Sequence, residues 1–290
     1  MNRPASEGAA PGSVAIVTDS TAYLPAVAVE RYAITVVPLQ VVIGSASLEE
    51  GGEASTQTVA DAVRHWVPVS TSRPTPQAFL ETYRAVADAG ASGIVSIHLS
   101  AEMSGTFESA ALAAADAPVP VRVVDSRSMG MGLGFAVLSA VGAARRTMQL
   151  HEVVAVAEKR AAQTSALFYV DTLEHLRRGG RIGAAQALFG SALAVKPLLH
   201  LVDGRIAPLE KVRTASRALA RLGEIAVERA GGAEVDVAVH HLANGERARA
   251  MGEGLRARLP GLCDLYVSEV GAVVGAHTGP GMLAVVVSPR

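Results

Sequence analysis

Four polar segments carry the side chains that could do chemistry. Thr18-Asp19-Ser20-Thr21, Thr71-Ser72 with its Pro-rich tail, and Ser100–Thr106 with Ser104-Gly105-Thr106 are each placed at the carboxyl end of an expected strand, the first and third directly. Open α/β sheets bind ligands at that edge, near a topological switch point. Hydroxyls and backbone N–H groups there suit an anion, and Gly105 lets the backbone approach closely. The helix expected after Ser104 adds a partial positive charge. The fourth segment, Gly275-Ala276-His277-Thr278-Gly279-Pro280-Gly281, reads as a tight turn. His277 in it could donate a hydrogen bond to an anion or act as a base.

Each segment has a plainer reading. Ser, Thr and Asp ahead of a helix are usually N-caps, so one such loop alone is more often structural. Three at equivalent positions favour a site. For His277, a solvent-facing turn residue and a functional one weigh equally. Ser104, His277 and Asp19 could form a nucleophile, base and orienter, but no Gly-x-Ser-x-Gly elbow is present and the spacing does not demand it. His98 ends a strand near these loops. His240 and His241 are adjacent and point apart on a strand; His65, His151, His175 and His200 read as surface or core. No spacing suggests a metal site. Gly130-x-Gly132-x-Gly134 fails the dinucleotide pattern, since Phe135 stands where the third Gly is needed. Arg181, after Gly179-Gly180, is expected to be exposed or to line a cleft, as a contact for an anion or a partner.

Composition narrows the class. The chain has 290 residues, 50% hydrophobic and 18% charged, which suits one or two packed domains. A net charge of −1 gives no basic face, so nucleic-acid binding is not expected. Cys263 is the one cysteine and has no disulfide or metal partner, which fits a reducing cytoplasm. Residues 1–12 are small and polar without an apolar core; they are expected to be disordered, not a signal peptide. Apolar runs are broken well before 18 residues, so no membrane span is expected.

The elements that would position these residues alternate strand, polar loop and helix through the first half. Strands are expected at Val14–Val17, Ile34–Ile43, Gly93–Leu99 and Val119–Val124. Helices are expected at Pro25–Arg31, Ser55–Trp66, Thr75–Ala89, Phe107–Ala115, Met129–Met148 and Leu150–Thr164, with Thr75 as N-cap and Pro76 at the first helical position. This is the pattern of a parallel sheet flanked by helices. The second half mixes hairpins and helices. Asp203-Gly204 between Lys196–Val202 and Arg205–Lys211 is the strongest hairpin signal. The reading is a Rossmann-like α/β lobe at 13–165 and an α+β lobe at 166–290.

Taken together, these motifs resemble the DegV family of bacterial lipid-binding proteins, from Val14 to the C-terminus. The resemblance is carried by Val17–Ala22 with Leu24-Pro25, Thr71-Ser72 with Pro74–Pro76, Leu99-Ser100 with Ser104–Ala110, and Val124–Ser126. Leu173-Glu174, Gly179–Ile182, Lys196-Pro197, Asp203-Gly204, Lys211–Thr214 and Gly275–Gly281 complete it. It implies a two-domain fold enclosing a long-chain fatty acid, with no other cofactor and no catalytic residue. It implies that Thr71 and Ser104 hold the carboxyl group, with Ser72, Gly105, Thr106 and His277 beside them and Asp19 and Ser20 behind. It also implies a separate kinase subunit that phosphorylates the presented carboxyl group, docking near Arg181. The chain departs from the family at Arg73, where Gln is frequent, and at Glu102. The competing expectations are a Ser104/His277 esterase and a lipid carrier without a kinase. Tail-lining candidates, chosen on apolarity, are Phe168, Leu188, Phe189 and Leu193.

Overall fold

The computed structural model describes residues 12–52, 56–65, 67–188 and 196–290. Along the chain these form β1 (Val14–Asp19), α1 (Ala26–Arg31), β2 (Thr35–Val37), β3 (Gln40–Ile43), β4 (Ala46–Glu49), α2 (Thr56–Arg64), β5 (Val69–Ser72) and α3 (Pro76–Asp88). Then come β6 (Gly93–His98), α4 (Thr106–Ala114), β7 (Val121–Asp125), α5 (Met131–Ala144), α6 (Leu150–Gln163), β8 (Ser165–Tyr169) and α7 (Glu174–Arg178). The remainder is β9 (Lys196–Val202), β10 (Arg205–Val212), α8 (Ala215–Ala230), β11 (Val235–His241), α9 (Gly245–Arg258), β12 (Leu262–Glu269), α10 (Ala272–Thr278) and β13 (Leu283–Pro289). None of these helices is long and apolar enough to cross a membrane. Residues 1–11, Ser55, Trp66, Phe189 and Leu193, for which the sequence raised expectations, lie outside the described residues.

The chain divides into two units. The first takes residues up to Pro38 and Arg73–Ala162; the second takes Leu39–Ser72 and Gln163–Arg290. The first holds a parallel sheet of order β2-β1-β6-β7. β6 is buried at every position, as a near-continuous apolar run on a covered parallel strand requires. Phe79 and Tyr83 of α3 and Ala110 and Ala113 of α4 pack on Val17, Val37 and Ile94 of the strands. As expected, Thr75 caps α3: its Oγ1 accepts from Ala78 N at 3.2 Å, and Pro76 opens the helix.

The second unit holds a six-stranded sheet of order β10-β9-β8-β13-β11-β12, antiparallel except for the β11–β12 pair. Leu222 and Ile225 of α8 and Leu255 of α9 bury Leu167, Val237 and Val285 of this sheet. Asp203 and Gly204 turn the β9–β10 hairpin with positive φ at both positions, 48° and 78°, the geometry an Asp-Gly pair favours. A smaller antiparallel sheet, β4-β3-β5, comes from residues 40–72.

That smaller sheet marks the main difference from the sequence reading. Ile34–Ile43 is not one strand: it breaks at Pro38, and β2 joins the first unit while β3 joins the second. Apolar residues run on through the break, so hydrophobicity alone hides it. Pro38 is the physical marker, since its nitrogen donates no ladder hydrogen bond. The chain therefore crosses at Pro38–Leu39, Ser72–Arg73 and Ala162–Gln163. Thr71-Ser72 is likewise not a loop but the end of β5, with Thr71 opposite Val41. Gly275–Gly281 is only partly a turn, because His277 lies in the last helical turn of α10.

Candidate functional site

In the second unit, β5 and α10 bring Thr71 and His277 together, 206 residues apart in sequence. Thr71 Oγ1 lies 2.8 Å from His277 Nε2. Thr71 is half-buried, whereas Ser72, on the next position of the strand, is exposed. The other imidazole nitrogen, Nδ1, is buried without a hydrogen-bond partner among the described residues. Burial, and to a lesser degree the charge of Arg181, pushes the His277 pKa down to about 4, so the ring is neutral at pH 7. An orphaned buried N–H is rarer than an unmet acceptor. The tautomer that suits this site therefore carries its proton on Nε2 and donates it to Thr71. The Thr71 hydroxyl hydrogen is then left to point onward.

Two glycines seat the histidines at this corner, His277 and His175. A Cβ on Gly179 would fall on His277 Nδ1, and a Cβ on Gly279 would fall on the ring of His175. The α7 terminus and the α10 terminus thus interlock, each glycine receiving the other segment's histidine. The double Gly ends α7, and Gly179 also makes room for the His277 ring. Arg181 Nη1 donates to Gly179 O at 2.6 Å, so this half-buried side chain folds back onto the same turn. Glu50, 7% exposed, accepts from Val273 N at 2.8 Å in the first turn of α10. Sequence reasoning missed Glu50; the bond spans 223 residues and no motif announces it.

In the first unit, Asp19 is fully buried and accepts four hydrogen bonds. Its Oδ1 takes Thr21 N (3.0 Å) and Thr21 Oγ1 (2.6 Å); its Oδ2 takes Leu99 N (2.9 Å) and His98 Nδ1 (3.0 Å). His98 Nε2 lies 2.7 Å from Ser96 Oγ, which accepts from Tyr83 OH at 2.9 Å. Burial raises the Tyr83 pKa to about 12, so the phenol remains a donor. Ser96, His98 and Asp19 have the composition of a catalytic triad, yet all three are 0% exposed. They strap the ends of β1 and β6 together. Asp19 is thus saturated by Thr21, His98 and Leu99, and in the second unit His277 Nδ1 has no hydrogen-bond partner among the described residues.

Ser20, behind the expected ligands, is half-buried in a short 3-10 turn capped by Asp19. Ser104 Oγ lies 2.9 Å from Thr106 Oγ1, and Gly105 caps α4. Arg73 rests on this loop, its Nη1 3.1 Å from Glu108 Oε2. Of the tail candidates, Phe168 and Leu188 are buried in the second unit, at 8% and 7% exposure. Among the described residues no group of His, Cys, Asp and Glu is placed to hold a metal ion.

This fold and these loops define a two-unit protein that combines a parallel α/β sheet with a mixed α+β sheet. The DegV family model matches residues 13–290, and the chain belongs to that family. It is 66% identical over 277 residues to a DegV domain-containing protein of Streptomyces coelicolor, covering 96% of this chain and 99% of that one. Among solved structures it is similar to a fatty acid binding DegV family protein of Thermus thermophilus, with a TM-score of 0.91 and 31% identity over 96% of this chain and 100% of that one. It is also similar to DegV of Bacillus subtilis, a fatty acid binding protein, with a TM-score of 0.88 and 34% identity over 96% and 100% of the two chains.

Proposed function

We propose that this chain binds a long-chain fatty acid and holds its carboxyl group with Thr71, oriented by His277. The observation that carries this reading is the neutral imidazole bonded to Thr71 with its second nitrogen buried. A Thr hydroxyl primed this way donates to a carboxyl oxygen without burying an opposing charge. The fatty acid binding of the Thermus thermophilus and Bacillus subtilis relatives supports the ligand class. Burial of the tail, at roughly 0.8 kcal/mol per CH₂, supplies most of the affinity, so the head group needs orientation more than strength. The family motifs assign carboxyl contacts also to Ser72, Ser104, Gly105 and Thr106, with Asp19 and Ser20 supporting their loops.

On this reading the chain presents the acyl group and does not itself transform it, in keeping with the fatty acid binding of the relatives. A separate kinase subunit then phosphorylates the carboxyl group, and Arg181 belongs to the face it docks on. The single exposed cysteine, Cys263, fits a reducing cytoplasm. Native mass spectrometry of the protein as expressed, followed by lipid extraction, tests the reading. About one fatty acid per chain is the expected stoichiometry for a single-ligand site. A protein that emerges empty and takes up no fatty acid on titration would overturn it. For the kinase role, ATP-dependent acyl phosphate formation by a candidate kinase subunit must require this chain and fall with Arg181→Ala while lipid stays bound.

A further inference from the structure

Within the second unit, α8 and α9 pack side by side on the six-stranded sheet, and an open groove of about 370 Å³ lies between them. None of its residues takes part in the proposed carboxyl site. Its floor is apolar: half-buried Leu219 and Met251 lie over buried Leu255 and Leu283. Arg247, Met251, Gly254 and Arg258 stand at i, i+4, i+7 and i+11 of α9, so they share one face of that helix. The two arginines bracket this stripe, about 16 Å apart along the axis. No carboxylate lines the groove. Arg221, on α8 but outside the groove, is matched by Glu210, Glu224 and Glu228. Among the described residues Arg247 and Arg258 have no such ion pair.

Gly254 is an independent observation. It is exposed inside α9, has no positive φ, and has no atom within 4 Å of where a Cβ would stand. Gly252, two residues earlier, is different, because a Cβ there would press on Val267 at 3.1 Å. A glycine inside a helix weakens it, and at 254 neither backbone nor packing requires one. Its effect is to keep the groove unfilled. A small molecule in an open groove stays half in water, whereas small-molecule pockets enclose most of their ligand. An amphipathic helix instead seats apolar side chains in a groove and covers them with its own polar face.

We propose that the α8–α9 groove docks an acidic amphipathic helix of a partner protein. Its apolar side chains seat on Leu219, Met251 and Leu255, and carboxylates about three turns apart pair with Arg247 and Arg258. The site is independent of the fatty-acid reading.

The test uses the full chain and a fluorescein-labelled synthetic helix of about 18 residues. The peptide carries two Glu eleven positions apart, with Leu on the same face between them; in a control peptide Lys replaces both Glu. Fluorescence polarisation is expected to show binding of the Glu peptide that weakens with salt, and at least about tenfold weaker binding of the Lys peptide. In ¹⁵N–¹H spectra the shifted amides should be those of α8 and α9. The double variant Arg247→Gln/Arg258→Gln is expected to weaken binding about fivefold to tenfold and to remove its salt dependence. Gly254→Leu fills the groove and favours the helix, so it should fold as well as wild type and bind at least about tenfold more weakly. Lipid content is expected to be the same in all variants, so the fatty-acid reading stands or falls separately. The proposal is overturned if the Glu peptide binds no better than the Lys peptide, or if Gly254→Leu binds it as wild type does. It is overturned equally if the groove amides shift with dodecanoate and not with the peptide, or if sedimentation shows a dimer that Gly254→Leu abolishes; the occupant is then a small amphiphile or a second copy of this chain.

Discussion

Gly179 and His277 occupy one volume: the space a side chain at 179 would need is filled by the imidazole Nδ1. Gly179 has an ordinary helical φ of −74°, so its lack of a side chain serves packing, not backbone conformation. Gly180, next to it, is the converse, with φ of 70° and open space where its Cβ would be.

The two glycines therefore separate a packing effect from a backbone effect. Gly179→Ala is expected to push His277 off Thr71, with an overpacking cost of about 1–3 kcal/mol and a marked loss of fatty acid affinity. Gly180→Ala is expected to cost about 1–2 kcal/mol through left-handed strain while leaving affinity near wild type in the folded fraction. Urea unfolding and ligand titration on both variants check this. Equal affinity losses in the two would remove the special role of Gly179.

Thr71→Val keeps the shape and deletes the hydroxyl. His277 Nε2 then loses its partner, and among the described residues Nδ1 supplies no other. The expected cost to the ligand-free protein is about 1–3 kcal/mol, the penalty for an unmet buried polar group, together with weakened fatty acid binding. Thr71→Ser retains the donor and is expected to restore most of both. A Val variant that binds as well as wild type would show that the carboxyl group is held elsewhere.

Acid should loosen the protein through its buried histidines. Burial lowers the pKa of His277, and of the fully buried His240, from 6.5 to about 4. The unfolded chain takes up the proton first, so stability from each neutral ring is complete above pH 6.5 and is lost as pH falls toward 4. Each contributes up to about 3 kcal/mol over that window. Unfolding midpoints at pH 7.5 and 4.5 should differ accordingly in wild type, and less in His277→Gln. An unchanged pH slope in that variant would place the titration elsewhere.

Much of this was legible from sequence where local chemistry decides structure. The Asp203-Gly204 hairpin, the Thr75 cap with Pro76, and the strand, loop and helix order of the first unit follow from turn residues and periodicity. The Thr71–His277 partnership was not readable from spacing, because it is made by β5 and α10 across most of the chain; only the family resemblance paired those motifs. The assignment of Leu39–Ser72 to the second unit was hidden for the same reason, since what holds that segment is contact with α10. Asp19 was read as a polar-loop residue behind the carboxyl ligands. Its saturation by His98 and Leu99 depends on β1 and β6 being neighbours, which is a property of the sheet and not of either motif.

Glu50 illustrates what that distance conceals, and it yields the last prediction. α10 has seven residues, about two turns, and its tip carries His277. A helix this short has little intrinsic stability, so its position depends on what holds its ends. The Glu50 carboxylate holds the first turn through Val273 N, while Thr278 Oγ1 bonds back to Val274 O at 3.0 Å. Glu50→Ala leaves that N–H buried without this acceptor and is expected to cost about 1–3 kcal/mol. Glu50→Gln keeps an acceptor and loses only the charge, so it is expected to cost less. The decisive readout is the ¹⁵N spectrum of the His277 imidazole. In wild type and Glu50→Gln it should show a neutral ring protonated on Nε2. In Glu50→Ala, α10 shifts, the bond to Thr71 is lost, and the ring should titrate closer to its ordinary range with fatty acid affinity falling in step. An unaltered imidazole spectrum in Glu50→Ala would mean that α10 is held without it.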